Sequence, residues 1–72
     1  MIKYQIGFNE DGKILGWVDG SHVPRIGETV TLNIPKYKDD YVVEDVRNHV
    51  APKLGGLETE FVSQSPLVLL KR

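Results

Sequence analysis

Tyr41-Val42-Val43-Glu44-Asp45-Val46-Arg47-Asn48-His49-Val50 is the stretch on which the fold turns. Read as a helix, it is capped by Asp39 or Asp40, striped by Val42, Val43, Val46 and Val50, and stopped by Pro52. Read as a strand, it points Tyr41 and Val43 inward. A bulge at Glu44-Asp45 then shifts the phase, and Val46 resumes the core face. Four β-branched residues and a Tyr within these ten positions favour the strand. Valine is stiff at χ1 and packs well on a pleated surface.

The flanking sequence speaks the same language. Upstream, Thr29-Val30-Thr31-Leu32-Asn33-Ile34 alternates, with Val30, Leu32 and Ile34 on one face and Thr31 and Asn33 on the other. Pro35 ends that run because it has no N–H for a ladder. Residues 36–40 then read as a charged connection. At the N-terminus, Ile2, Tyr4, Ile6 and Phe8 alternate with Lys3, Gln5 and Gly7. Asn9-Glu10-Asp11-Gly12 supplies a hairpin turn, since Asp-Gly tolerates positive φ. The return strand covers residues 13–19, and Gly16 within it marks a bulge or a close backbone approach. Downstream, residues 57–63 and 67–71 read as two further strands, split by Gln64-Ser65-Pro66 and preceded by Gly55-Gly56. Five or six short strands in one domain, residues 1–72, predict a small, partly open, SH3-like or OB-like all-β barrel.

Composition agrees and excludes a good deal. The 72 residues hold nine Val, five Ile and seven Leu but one Ala and one Met, a mixture poor in the best helix former. A chain this short buries only ~60–65% of its unfolded surface, so a single modest core has to suffice. With no cysteine, disulfides, thiolate nucleophiles and cysteine-based metal sites are out. Nine basic against ten acidic side chains, a net charge of -1, argue against the basic field of a duplex-DNA binder. The longest uncharged stretch, residues 61–70, is far too short for a membrane span, and the first residues lack a signal-peptide pattern. A cytoplasmic protein with no membrane partner is the expectation.

Three segments carry a resemblance: Val23-Pro24-Arg25-Ile26-Gly27-Glu28-Thr29-Val30, Tyr41-Val42-Val43-Glu44-Asp45-Val46 and Val68-Leu69-Leu70. Together they resemble small SH3-like β-barrel proteins of bacteria and their phages and mobile elements. In those chains a Pro-x-x-Gly-Glu turn opens one strand, a Tyr-x-Val-x-x-Val strand follows, and a short hydrophobic strand closes the sheet. The likeness spans about residues 23–70 and consists of turn and core features, so it implies a fold and no catalytic residue.

Motifs for chemistry are sparse. His22 and His49 show no metal-ligand spacing with one another. Asn9-Glu10-Asp11-Gly12 lacks the later acidic residue a calcium loop needs, and a hairpin turn accounts for it. Ser21 and His22 are sequence neighbours, an arrangement that does not predict a nucleophile–base pair, and no Gly-x-Ser-x-Gly elbow or phosphate-binding glycine loop occurs. Asp39-Asp40 and the Glu58/Glu60 pair read as solvated surface. No catalytic residue, metal or cofactor is expected.

Binding features are richer. Trp17 is the single tryptophan, and the alternation groups it with Leu15 and Asp19, opposite Ile14, Gly16 and Val18. If Ile14 and Val18 are inside, Trp17 and Leu15 form an exposed contact pair; otherwise Trp17 is core. Leu67-Val68-Leu69-Leu70 is apolar on both alternating faces. Such a strand is either covered within the domain or meets another subunit or partner through Leu67 and Leu69. The leading expectation is therefore a non-catalytic protein-interaction or adaptor module, self-associating, with Trp17, Leu15, Leu67 and Leu69 as contacts. The alternative is a weak single-stranded nucleic-acid binder in which Tyr37, flanked by Lys36 and Lys38, stacks on a base together with Trp17.

Overall fold

The computed structural model describes all residues, Met1–Arg72. It contains seven strands and no helix: β1 (Ile2–Phe8), β2 (Ile14–Gly20), β3 (Thr29–Leu32), β4 (Asp39–Arg47), β5 (Val50–Pro52), β6 (Phe61–Ser63) and β7 (Leu67–Lys71). Five of them form one curled sheet in the order β2-β1-β7-β4-β3. Its β2 and β3 edges do not pair with each other, so the barrel stays half open. β1 and β7 run parallel, and the other neighbours are antiparallel.

The strand reading of residues 41–50 holds as far as Arg47, and the helical alternative falls. In the β4–β7 ladder Val43 pairs with Leu70 and Asp45 with Leu69, leaving Glu44 as the inserted residue. That bulge lets Tyr41, Val43 and Val46 all face the core despite the odd spacing between the last two. A second bulge lies in β2. Ile6 pairs with Gly16 and Gly7 with Ile14, so Leu15 has no partner. Gly16 sits at φ +154 there, a conformation few side chains tolerate.

The core is the concave face of this sheet. Tyr4, Ile6, Phe8, Leu32, Val43, Val68 and Leu70 form one buried cluster, with Phe8, Val68 and Leu70 at 0% exposure. Phe8 is its centre: Tyr37 and Tyr41 pack against it with ring centroids 5.4 and 5.3 Å away, tilted as aromatic quadrupoles prefer.

Several sequence expectations are corrected. The 29–34 strand stops at Leu32; Tyr37 N–H bonds the Ile34 carbonyl in a turn, and Ile34 points to solvent. Asp39 and Asp40, placed in the connection by their charge, instead open β4 opposite Leu32 and Thr31, where the Thr31 hydroxyl donates to Asp40 at 2.7 Å. Of residues 57–63 only Phe61–Ser63 is strand, because Leu57 to Glu60 is held as a turn by the Leu57 N–H on the Glu60 carboxylate and the Glu60 N–H on the Leu57 carbonyl. That strand does not join the barrel. It pairs with β5, a strand the sequence reading did not separate, as an isolated hairpin.

The hairpin shapes the whole molecule. Neither β5 nor β6 lies against any strand of the large sheet. The chain measures 45 × 25 × 20 Å with a radius of gyration of 14.0 Å, against about 11 Å for a compact domain of this length. The protein is a curled sheet with a projecting arm.

Candidate functional site

The bulge at Leu15 decides what the outer face of the sheet presents. Uninterrupted alternation would put Leu15 and Trp17 side by side. With Leu15 as the extra residue, Leu15 and Val18 turn inward onto the core, while Trp17 turns out and is 56% exposed. The anticipated Trp17–Leu15 contact pair therefore does not exist: Trp17 is a surface residue and Leu15 is part of the core margin. Lys3 lies over the indole with its Nζ 5.5 Å from the ring centroid.

Leu67 and Leu69 are redistributed too. The strand that carries them is the middle of the sheet, paired with β1 on one side and β4 on the other. Leu69 lies between Gly7 and Asp45 in register and is only 3% exposed, so the chain itself covers it. Leu67 remains half-buried. It lies in a cross-sheet row in which Trp17 pairs with Gln5, Gln5 with Leu67 and Leu67 with Arg47. Trp17 and Leu67 thus share an outer face, separated by one strand.

A groove of about 630 Å³ adjoins Trp17. Gln5 and Trp17 form its sheet wall; His49, Ser63, Gln64 and Ser65, at the root of the arm, form the other. Two backbone bonds hold the walls: Gln5 N–H to the Pro66 carbonyl at 2.9 Å and Gln64 N–H to the His49 carbonyl at 2.8 Å. Of these residues only Trp17 was singled out as a binding candidate from sequence. The others reach it through the fold, and no local pattern announces them.

Tyr37 does not join Trp17. Its ring packs on Phe8 at the core side of the sheet, and its hydroxyl bonds Lys13 Nζ. Lys36 Nζ stands 5.7 Å from the Tyr37 centroid, and Arg72 covers Phe8 at 4.4 Å. The Lys13 hydrogen bond, with the charges of Lys13, Lys36 and Arg72, holds the Tyr37 phenol below its ordinary pKa. Lys36 and Lys38 are exposed. One ring face of the expected stacking aromatic is thus already occupied.

The arm presents a surface that the sequence reading does not anticipate. In the β5–β6 ladder Pro52 pairs with Phe61 and Val50 with Ser63, placing Val50, Pro52 and Phe61 on one face. Val50 is 63% and Phe61 60% exposed, and the tip adds Leu54 at 98% and Leu57 at 72%. The sequence signal was present, since four large apolar residues flank Gly55-Gly56 with too little chain to bury them.

A polar chain runs along the loop before β3. Ser21 Oγ is 3.3 Å from His22 Nδ1, and His22 Nε2 is 3.1 Å from Glu28 Oε2. The sequence argument gave no ground to expect this contact between neighbours, and the loop geometry makes it. Glu28 also accepts the Arg25 N–H at 3.3 Å. These bonds, His22 first, hold the Glu28 carboxyl below its usual range. The order serine–imidazole–carboxylate is that of a nucleophile relay, but the His22 side chain is 62% exposed, and none of Ser21, His22 and Glu28 lines the neighbouring groove of Val23 to Ile26, Val46 and Asn48. The bonds fix the loop that leads into β3. No three His, Asp or Glu side chains converge into a cation site, and no helix is long and apolar enough to cross a membrane.

Comparison of the chain with protein-family models, with curated proteins and with solved structures gave no match.

Proposed function

We propose that this chain is a non-catalytic protein-interaction module of the small SH3-like barrel kind, which self-associates through its hairpin arm. The observation that carries the reading is the arm itself. A two-stranded hairpin is marginal in water, and this one exposes Val50, Leu54, Leu57 and Phe61 and has no strand of the sheet alongside it. Those side chains offer on the order of 500 Å² of apolar surface, the upper end of what monomers expose in one patch. A second copy laid against the same face would bury about twice that, the scale at which a specific interface begins. A two-fold pairing suits such a self-complementary patch. The cytoplasm is the compartment we assign to it, a cysteine-free chain having no staple for an oxidising one.

Light scattering coupled to size exclusion, from micromolar to millimolar protein, tests this. The native chain dimerises, and the Leu57→Ser/Phe61→Ser variant is monomeric with an unchanged far-ultraviolet spectrum, because the arm does not support the sheet. A native chain monomeric throughout that range overturns the reading.

A second reading draws on the cations gathered around Tyr37. Lys13, Lys36 and Arg72 surround its ring and that of Phe8, a grouping that favours a weak single-stranded nucleic-acid site. Oligothymidylate binding that falls steeply with salt and on Lys36→Glu would support it. No binding at low salt removes it.

A further inference from the structure

The groove beside Trp17 differs in kind from both surfaces just described. Its one apolar element is the Trp17 ring; everything else that lines it, Gln5, His49, Ser63, Gln64 and Ser65, is polar. Gln5, Ser63, Gln64, Ser65 and His49 make no side-chain hydrogen bond to the rest of the chain. Five unengaged polar side chains on opposite walls of one groove are a set of donors and acceptors without an internal use. Each Gln amide and each Ser hydroxyl both donates and accepts.

The nearby charges are few: the Lys3 ammonium lies 5.5 Å from the Trp17 centroid. Asp19 stands opposite Lys3 on the neighbouring strand without an ion pair between them, and Arg47 Nε lies 3.3 Å from Asp45. A phosphorylated strand would find a single unpaired cation here, Lys3, where nucleic-acid affinity rests on several phosphate contacts. An apolar peptide anchor needs a desolvated pocket of hydrophobic walls, which one indole does not make. A ligand that is apolar on one face, rich in hydroxyls at its rim and uncharged meets every wall.

We propose that this groove binds a neutral saccharide, a pyranose ring lying on Trp17 with its hydroxyls taken by Gln5, Gln64, Ser63 and Ser65. The C–H groups of a pyranose face the electron-rich indole surface, and the rim hydroxyls replace the water that now solvates the amides. The site is shallow, so its affinity is modest. It does not depend on self-association.

Trp17 is the only tryptophan, so its emission reads this groove alone. Titration of the full chain with cellohexaose, chitohexaose and laminarihexaose tests the proposal. At least one produces a saturable emission change with a dissociation constant of about 1 mM or below. Gln64→Ala keeps the reporter, lies outside the core and weakens that binding about tenfold, while Lys38→Ala leaves it unchanged. By calorimetry, Trp17→Ala abolishes it. The proposal is overturned if none of the three sugars changes emission or heat at about ten times that concentration. It is overturned equally if a sugar binds Trp17→Ala as well as native protein, or if oligothymidylate alone quenches Trp17.

Discussion

A methyl group at Gly7 is the sharpest probe of how β1 and β2 are joined. An ideal Cβ there would stand 2.5 Å from the Lys13 carbonyl oxygen, 3.1 Å from Ile14 Cα and 3.2 Å from Ile14 Cδ1. Carbon meets its neighbours comfortably at about 3.5 Å, so the Lys13 oxygen has to retreat by about 1 Å. Lys13 is not free to do so: its carbonyl accepts the Phe8 N–H at 2.9 Å, the bond that closes the first hairpin. Overpacking of this kind costs about 3 kcal/mol where only backbone can move. Restricting the unfolded chain returns ~0.5–1 kcal/mol, leaving a net loss of about 2 kcal/mol. For a domain this small, that lowers Tm by roughly 8–16 °C. Gly12→Ala is the comparison. Gly12 has φ +70 and open space around its Cβ position, so it incurs only left-handed strain, about 1 kcal/mol. Thermal unfolding followed by circular dichroism measures both. A Gly7→Ala protein as stable as native, or less affected than Gly12→Ala, would refute the close approach on which the placement of β2, and hence of Trp17, depends.

Two further outcomes follow from charge. Glu28 ionises below its ordinary value because His22 and the Arg25 N–H hold its anion; the stability this contributes is complete above about pH 4.3 and is lost as pH falls through the lowered value. Carboxyl NMR should show the Glu28 midpoint rising in His22→Ala, and an unmoved midpoint would exclude the His22 bond. At alkaline pH, ultraviolet titration should find Tyr37 ionising below the usual tyrosine value and Tyr4 above it. Lys13 and the neighbouring cations favour the Tyr37 anion, whereas burial, then the Glu28 charge, oppose the Tyr4 one. Lys13→Met should return Tyr37 toward about 10, and no change would dismiss the contact.

What could be read from the sequence was the local part of the fold. Alternation in Tyr4, Ile6 and Phe8, and the skipped beat at Glu44-Asp45, follow from the period of the pleat and give core residues, whereas Ile2, first in the same pattern, is 44% exposed at the strand's end. Leu15 defeats the same rule. Its bulge is unmarked except by Gly16, and a one-residue insertion turns every later side chain over. The status of Leu67–Lys71 was beyond local reasoning for a different reason: whether an apolar strand is covered depends on which strands flank it, and β7 finds β1 at the opposite end of the chain and β4 at 20 residues or more. Much the same limit applies to the groove, whose walls are 32 or more residues apart in sequence. The arm, by contrast, was legible in principle, since Leu54, Leu57 and Phe61 around Gly55-Gly56 have no partner of comparable periodicity.

The separation of arm from sheet makes its association visible without any loss of fold. Amide exchange reports local opening. The arm is closed by few bonds, among them Lys53 N–H to the Glu60 carbonyl at 3.1 Å and Gln64 N–H to the His49 carbonyl at 2.8 Å. In a lone copy these face solvent on a hairpin that no other element supports, so they open readily. Pairing of two arms covers Phe61 and Val50 and slows that opening, while the Val43 N–H, bonded to the Glu28 carbonyl at 2.9 Å beside the core, is protected in either state. Exchange at Lys53 and Gln64 should therefore slow as protein concentration rises, by about tenfold for each 1.4 kcal/mol of association coupled to hairpin closure. Exchange at Val43 should not change. Arm amides that exchange at one rate across the whole concentration range would mean that nothing covers the arm in solution, and the self-association reading would fail with the sheet still intact.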